Sequence, residues 1–353
     1  MRGSIRLLKI FGISINVHIT FLILPVIFFA YAGFRGVFLI LTVFVFVTAH
    51  ELCHSLVAKR FGIKVPQITL LPIGGVATMG AIPEKPYQEF AISVAGPLFN
   101  VILGLLMFFP IYGLVGREAF FKPSLDSWPQ TFSYLFWINP ILAAFNLLPA
   151  FPMDGGRLLR AAFARKLGYR KATEIAVNFG HAFALIFAFI GILYSHIMLI
   201  VIAVFIYMAA SNEGTQVEVK EILKNYRVSD ILPGKFLTLT KDVELSKVLE
   251  IIFHQHQEDF PVLENHKLVG FLTRNDVIYG MHQYGPNKRV GDIMRMTFPK
   301  ARPQDSLVKV QSTMHKWGLK AVPVLKDDKL CGIITLEDIS RVYIMMANHK
   351  ETP

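Results

Sequence analysis

The stretch Gly36–His54 reads GVFLILTVFVFVTAHELCH, an apolar run that ends in the pattern His-Glu-x-x-His. Residues four apart lie on one face of a helix, so His50 and His54 would present both imidazoles together. This spacing suits one Zn²⁺ ion, with Glu51 placed to act on a water molecule. The alternative is two interfacial histidines and a glutamate that reaches out of the membrane. That alternative is disfavoured, because ionisable side chains after such an apolar run are costly.

A third zinc ligand should come from another helix, since a catalytic site takes three protein ligands and leaves one position open. Residues 146–156 read NLLPAFPMDGG, where two prolines and two glycines break a helix and let a carboxylate project into a cavity. Of the seven acidic residues before position 212, only Glu51 and Asp154 lie in or at the end of an apolar segment. By itself Asp154 would be read as a loop residue beside Arg157. Together with the His-Glu-x-x-His motif it becomes the candidate ligand.

Several further apolar segments accompany the first one. The chain has 353 residues, of which 53% are hydrophobic and only 17% charged, and this excludes an ordinary soluble enzyme and a disordered chain. Its two cysteines exclude a disulfide scaffold. A transmembrane helix needs about 20 mostly apolar residues. Six segments qualify: 16–34, 36–58, 91–115, 131–149, 173–193 and 195–211.

Charge is divided unevenly along the chain. Residues 1–211 hold 16 lysines and arginines against 7 acids, whereas residues 212–353 hold 20 against 18. The net charge of +11 therefore belongs mainly to the membrane part, which argues against a nucleic-acid surface. With the N-terminus inside, 13 of those 16 basic residues fall on the inner side, so both termini are predicted to be cytoplasmic. A cleavable signal peptide is the weaker alternative for the first segment, whose apolar run is long for one.

Polar candidates for substrate binding lie near the predicted metal site. Residues 65–71 and 74–78 predict a strand, a turn and a second strand. An exposed edge there, which includes Gly74 and Gly75, could pair with an extended substrate, or the hairpin could be only structural. Asn100 and Asn146 could donate a hydrogen bond to the substrate carbonyl or to another group of the site. An interhelical contact is the equal alternative for each asparagine.

These motifs resemble those of the site-2 proteases, a family of intramembrane zinc metalloproteases. The resemblance rests on His50-Glu51-x-x-His54, on Asn146-x-x-Pro149-x-x-Pro152-x-Asp154-Gly155, and on the segments 71–75 (LPIGG) and 95–100 (AGPLFN). It implies one zinc ion per chain, held by His50, His54 and Asp154, with Glu51 as the general base. The resemblance does not identify the substrate, which we predict to be a membrane-anchored regulatory protein.

The C-terminal part contains an internal repeat with a constant offset of 62 residues. Matched pairs include Asp230 with Asp292, Pro261 with Pro323, Gly270 with Gly332, and Asp276 with Asp338. A constant offset without a gap indicates two duplicated modules. Each module is predicted to run helix, strand, helix, strand, strand, helix.

The duplicated modules resemble a pair of CBS domains, which commonly bind adenine nucleotides in their cleft or serve only for dimerisation. The resemblance assigns the ribose-contacting pattern to Thr273 with Asp276 and to Thr335 with Asp338. The same Thr-x-x-Asp pattern is also a helix cap, in which the hydroxyl and the acid satisfy the first turn. The sequence leaves both interpretations open.

The predicted fold is a polytopic α-helical membrane domain with six transmembrane helices and a short β-hairpin, followed by an α/β tandem CBS pair. The predicted bounds are 1–211 for the membrane domain, 212–225 for a linker, and 226–283 and 284–353 for the two modules. The predicted function is a zinc-dependent intramembrane endopeptidase of a prokaryotic cell membrane, regulated by an adenine nucleotide and without a nucleic-acid partner. The alternative is a CBS-gated metal ion transporter, which leaves Glu51 between two metal ligands unexplained.

Overall fold

The structure is a computed structural model, and it describes residues 3–72, 74–79, 85–234, 236–255 and 257–348. The chain divides into two compact units, Met1–Thr215 and Gln216–Pro353. The boundary falls inside the helix Ile197–Lys224, which also includes most of the segment 212–225. Ile73 of the LPIGG motif and residues 349–353 lie outside the described residues.

The first unit begins with a four-stranded sheet in the order β1-β2-β3-β4. Its strands are β1 (Ser4–Ile10), β2 (Ile13–His18), β3 (Gln67–Leu71) and β4 (Gly74–Thr78). The β3–β4 pair is antiparallel, so the predicted strand, turn and strand are confirmed. β2 runs parallel to β3 and antiparallel to β1. Residues 16–18 were therefore assigned wrongly to the first membrane span, since they belong to β2.

Within the described residues, six α-helices complete the first unit and lead into the second. They are α1 (Ile23–Arg60), α2 (Pro86–Phe120), α3 (Trp128–Asn146), α4 (Asp154–Leu167), α5 (Tyr169–Leu193) and α6 (Ile197–Lys224). α1 is broken near its start, where Ala32 and Gly33 leave the helical conformation and Gly33 takes a φ of 60°. Only glycine adopts that conformation at little cost.

Four stretches of helix within the described residues are long and apolar enough to cross a membrane. They are Ile19–Arg60, Pro86–Phe120, Tyr169–Leu193 and Ile197–Lys224. The predicted count of six is not confirmed, for two reasons. Apart from residues 16–18, the first two predicted segments fall within one stretch. In addition, α3, which covers most of segment 131–149, is not among the four.

The second unit keeps the 62-residue repeat in three dimensions. The first module contains a short 3₁₀ turn, α7 (Leu245–His254), β5 (Phe260–Glu264), β6 (Lys267–Leu272) and α8 (Arg274–Tyr284). The second contains α9 (Val290–Ile293), α10 (Leu307–Trp317), β7 (Ala321–Lys326), β8 (Lys329–Thr335) and α11 (Leu336–Asn348). The predicted first strand of each module is only a single parallel bridge, Leu239 to Val262 and Ala301 to Val324.

Candidate metal centre

The three predicted ligands meet at one point of the first unit. His54 Nε2 lies 3.0 Å from His50 Nε2 and 3.0 Å from Asp154 Oδ2, and His50 Nε2 lies 3.3 Å from the same carboxylate oxygen. Both histidines are buried. The His-Glu-x-x-His motif lies in the C-terminal part of α1, while Asp154 is the first residue of α4.

The other nitrogen of each imidazole is already engaged. His50 Nδ1 donates to Asn100 Oδ1 at 2.5 Å, and His54 Nδ1 donates to the backbone carbonyl of Ile92 at 2.6 Å. Both acceptors belong to α2. These bonds fix the tautomer in which each Nε2 carries a free lone pair, which is the form that binds a metal.

The geometry fits a single tetrahedral ion. Nitrogen and oxygen ligands lie about 2.0–2.2 Å from zinc, so neighbouring ligands of a tetrahedral site are about 3.3 Å apart. The three observed separations of 3.0–3.3 Å agree with that value. Two imidazoles and one carboxylate are also a ligand set that catalytic zinc sites use.

Gly96 of α2, which was not predicted to be a site residue, leaves the space that the two imidazoles occupy. A Cβ atom on Gly96 of α2 would collide with the Nε2 atoms of both His50 and His54. The backbone of α2 therefore approaches the metal position more closely than any other residue type permits. Gly96 stood in the quoted AGPLFN motif, but only the packing shows why it must be glycine.

Asp154 is held by a tight turn between α3 and α4. A Cβ on Gly155 would collide with the backbone carbonyls of Leu147 and Leu148, and one on Gly156 would come within 2.5 Å of Ala150. The two glycines let the start of α4 pack directly against the preceding turn. The helix-breaking residues therefore position the carboxylate rather than merely free it.

Glu51 lies beside strand β4. A Cβ on Gly75 would come within 2.7 Å of Glu51 Cγ, so the strand passes directly over the glutamate side chain. Gly74 precedes it in the same strand, with a φ of 135°. The structure thus brings Gly75 next to the predicted base, whereas a Cβ added to Gly74 would meet no atom within 4 Å.

The two predicted asparagines differ in their surroundings. Asn100 is fully buried, and besides contacting His50 it donates through Nδ2 to Asn139 Oδ1 at 3.2 Å. Asn139 is also fully buried and donates to the carbonyl of Leu135. Asn146 is the half-buried last residue of α3, and its side chain makes no hydrogen bond within the described residues.

One acidic residue of the membrane part is buried contrary to expectation. Because α2 begins at Pro86, Glu89 lies inside a helix able to cross the membrane and is only 3% exposed. Its Oε1 accepts a hydrogen bond from Nε of Arg160 at 2.8 Å. No local pattern indicates this pair, since 71 residues separate its members.

The Thr-x-x-Asp motifs of the second unit both form helix caps. Asp276 Oδ2 accepts from the backbone nitrogen of Thr273 at 3.1 Å, and Asp338 Oδ2 accepts from that of Thr335 at 3.0 Å. Asp276 also forms a bidentate ion pair with Arg295, whose Nε and Nη2 donate to its two oxygens at 2.8 and 2.9 Å. Burial raises the pKa of the Asp276 carboxyl, but the bonds from Arg295 and Thr273 outweigh it and lower that pKa below its usual value.

Asp338 has no such partner. Its Oδ1 makes no hydrogen bond within the part of the chain that the structure describes. Arg295, which binds Asp276, belongs to the second module, and the 62-residue offset places Pro233 at the matching position of the first module. The two modules are thus unequal at the position where the family resemblance expects a ribose.

Comparison with known proteins finds relatives for both the N-terminal and the C-terminal part of the chain. The model of peptidase family M50 matches residues 38–126 and 121–187, and the CBS domain model matches residues 228–282 and 290–344. A zinc metalloprotease of Methanocaldococcus jannaschii is 36% identical over 356 residues, which is 99% of each chain. Stage IV sporulation protein FB of Bacillus subtilis is 25% identical over 72% of this chain and 86% of its own.

A solved structure is also similar to part of the chain. The site-2 protease from Methanocaldococcus jannaschii is 42% identical, with a TM-score of 0.46, and covers 60% of this chain and 95% of its own. The full-length match to a zinc metalloprotease carries the assignment. The chain belongs to peptidase family M50, the site-2 protease family of zinc metalloproteases, and carries a tandem pair of CBS domains.

Proposed function

We propose that this protein is a zinc-dependent intramembrane endopeptidase whose metal is held by His50, His54 and Asp154. The observation that carries the proposal is the convergence of three ligand atoms, each within 4.8 Å of the others. They come from the apolar helix α1 and from the first residue of α4. The substrate class is a membrane-anchored regulatory protein. Both termini are cytoplasmic, as the distribution of basic residues indicates.

Bound zinc would supply a Lewis acid that polarises the scissile carbonyl and makes water acidic enough to attack at neutral pH. Glu51 accepts the proton of that water and delivers it to the leaving amine. Asn100 and the carbonyl of Ile92 keep the two imidazoles in the binding tautomer. Since Asn100 is engaged in this way, Asn146 is the better donor to the substrate carbonyl.

Strand β4 is the proposed docking edge for the substrate. A substrate helix satisfies its own backbone, so it must unwind before its peptide bond can be cut, and the freed groups need partners in the membrane. β4 is the last strand of the sheet and pairs with β3 on one side. A strand added to its other edge would lie beside Glu51, which Gly75 contacts.

The second unit is the proposed regulatory part. An adenine nucleotide binds to the CBS pair, and Asp338 contacts the ribose, since one of its oxygens lacks a hydrogen bond within the described residues. A carboxylate at a helix start is suited to accept from ribose hydroxyls. The paired modules also offer a surface for a homodimer.

Metal removal and restoration test the proposed function. The purified full chain, reconstituted in liposomes with a membrane-anchored test protein, should cleave it and should contain about one zinc per chain. A chelator should abolish cleavage, and added zinc should restore it. Cleavage that persists after complete removal of the metal would contradict the proposal.

A further inference from the structure

Arg160 of α4 is a buried cation that the proposed chemistry does not use. It is 1% exposed and is among the largest fully buried side chains of the described residues. Burying a guanidinium is costly unless partners compensate for the lost water. The arrangement of those partners indicates what the residue does.

The partners of Arg160 come from four segments around the metal centre. Its Nε and Nη2 both donate to Oε1 of Glu89 on α2, and its Nη1 lies 3.5 Å from Oε2 of Glu213 on α6. The guanidinium carbon lies 4.7 Å from the ring centroids of both Phe151 and Tyr169. Arginine suits this setting, because its planar group can hydrogen-bond at its edge while its face packs on aromatic rings.

Arg160 and its partner Phe151 lie on either side of Asp154 in the chain. Phe151 lies three residues before Asp154 and is fully buried, and Arg160 lies six residues after it on the same helix. The backbone nitrogen of Phe151 also donates to the carbonyl of Ala176 on α5. Arg160 thereby joins the turn that precedes the carboxylate to the helix that follows it.

The contact between Arg160 and Glu89 links the Asp154 segment to α2, the helix that orients the histidines. Glu89 lies on α2, three residues before Ile92, whose carbonyl accepts from His54, and on the same helix as Asn100, which accepts from His50. One helix, α2, is therefore linked to all three proposed ligands. It accepts hydrogen bonds directly from the two histidines, and the Glu89–Arg160 ion pair links it to the helix that begins with Asp154.

We propose that Arg160, anchored by Glu89, is the positioning residue for Asp154 and sets the affinity of the site for zinc. The inference rests on the proposed function, since it takes Asp154 as a ligand. Groups that orient metal ligands typically change metal affinity by about 10- to 100-fold when they are replaced.

Zinc affinity of the purified full chain, measured by chelator competition, tests the proposal. Arg160→Lys keeps the charge but loses the fork and the planar face. We expect it to bind zinc about 10- to 100-fold more weakly, and excess zinc should restore most of kcat with an unchanged KM. Arg165→Lys, at an exposed position of the same helix, should retain the affinity of the wild type.

Glu89→Gln is a second variant, to be used if Arg160→Lys does not fold. It should also weaken zinc binding. Folded Arg160→Lys or Glu89→Gln protein with the zinc affinity of the wild type would overturn the proposal. Asp154→Ala distinguishes a failure of the ligand assignment from a failure of the role proposed for Arg160. If it keeps tight zinc, the ligand assignment itself fails, whereas loss of zinc only in Asp154→Ala refutes the role of Arg160 alone.

Discussion

The candidate metal centre and the two Thr-x-x-Asp motifs are both indicated by short sequence patterns, but their polar atoms are engaged in different ways. At the metal centre, Asn100 and Ile92 bind one nitrogen of each histidine, and the other nitrogen faces Asp154. In the CBS unit, the threonine and the aspartate bind each other within one helical turn. At a ligand site, other residues hold the side chain in place and leave its ligand atom available. In a capping pattern, the polar atoms of the motif form hydrogen bonds with one another.

The two CBS modules refine this contrast. Arg295 occupies both oxygens of Asp276, while Asp338 keeps one oxygen without a partner within the described residues. Nearly identical motifs 62 residues apart therefore differ in the hydrogen bonds of their aspartates, and the difference arises from one residue outside the motif.

Loss of the carboxylate ligand should have the largest effect. Asp154→Ala removes one of three ligand atoms, so zinc affinity should fall by more than about 100-fold, beyond the cost of losing an orienting group, and cleavage should be undetectable. Asp126→Ala, which removes an acid outside the described helices, should retain both zinc and activity. Metal analysis after gel filtration measures the difference. Tightly bound zinc in Asp154→Ala would require another third ligand.

Closing the space at Gly96 should be nearly as severe. A methyl group there collides with both Nε2 atoms, so Gly96→Ala should reduce zinc affinity by roughly 10- to 100-fold, comparable to the loss of a residue that orients the ligands. Gly113→Ala is the matched control on α2, since nothing lies within 4 Å of its added Cβ. Equal zinc affinity of the two variants would show that α2 does not approach the metal as described.

The three ligands that the sequence predicts lie together in the structure, because their motifs encode spacing along one helix and a break in another. His50, Glu51 and His54 share a helix, and the prolines and glycines around Asp154 are visible in the chain. Gly96, Asn139 and the Glu89–Arg160 pair were missed as parts of the site. Their roles arise from contacts between helices distant in sequence, for which no local signal exists.

The sheet shows a different limit of prediction. Ile13, Ile15 and Val17 alternate into a buried core with Ile68 and Leu70, as a strand requires. Their alternation is hidden because β2 runs straight into the apolar residues of the first span, and short apolar runs do not distinguish strand from helix.

Nucleotide binding should distinguish the two CBS modules. The full chain should be stabilised by ATP, ADP or AMP, with a Tm that rises with the logarithm of ligand concentration. Asp338→Ala should abolish this stabilisation, whereas Asp276→Ala should leave most of it. Nucleotide should change the cleavage rate by about 5- to 150-fold at most, the range of typical coupling energies. The absence of heat and of stabilisation at millimolar nucleotide would reduce the pair to a dimerisation surface.

Proline in β4 should have the smallest effect. Val76→Pro removes one backbone donor from the strand, so cleavage should fall by roughly 2- to 10-fold for the lost hydrogen bond. The zinc content should stay normal, because β4 supplies no ligand. Val76→Thr keeps the backbone donor and is the control. Full activity of the proline variant would mean that β4 is only structural.

In the proposed mechanism, Glu51 acts as the base beside a metal held by three other residues. The most direct test compares the wild type with Glu51→Gln in liposomes that contain a membrane-anchored substrate. The amide keeps the shape of the side chain but cannot accept the proton of water, so we predict one zinc per chain and no cleavage. Cleavage at the rate of the wild type would contradict the mechanism, and metal flux through the variant would favour a transporter instead.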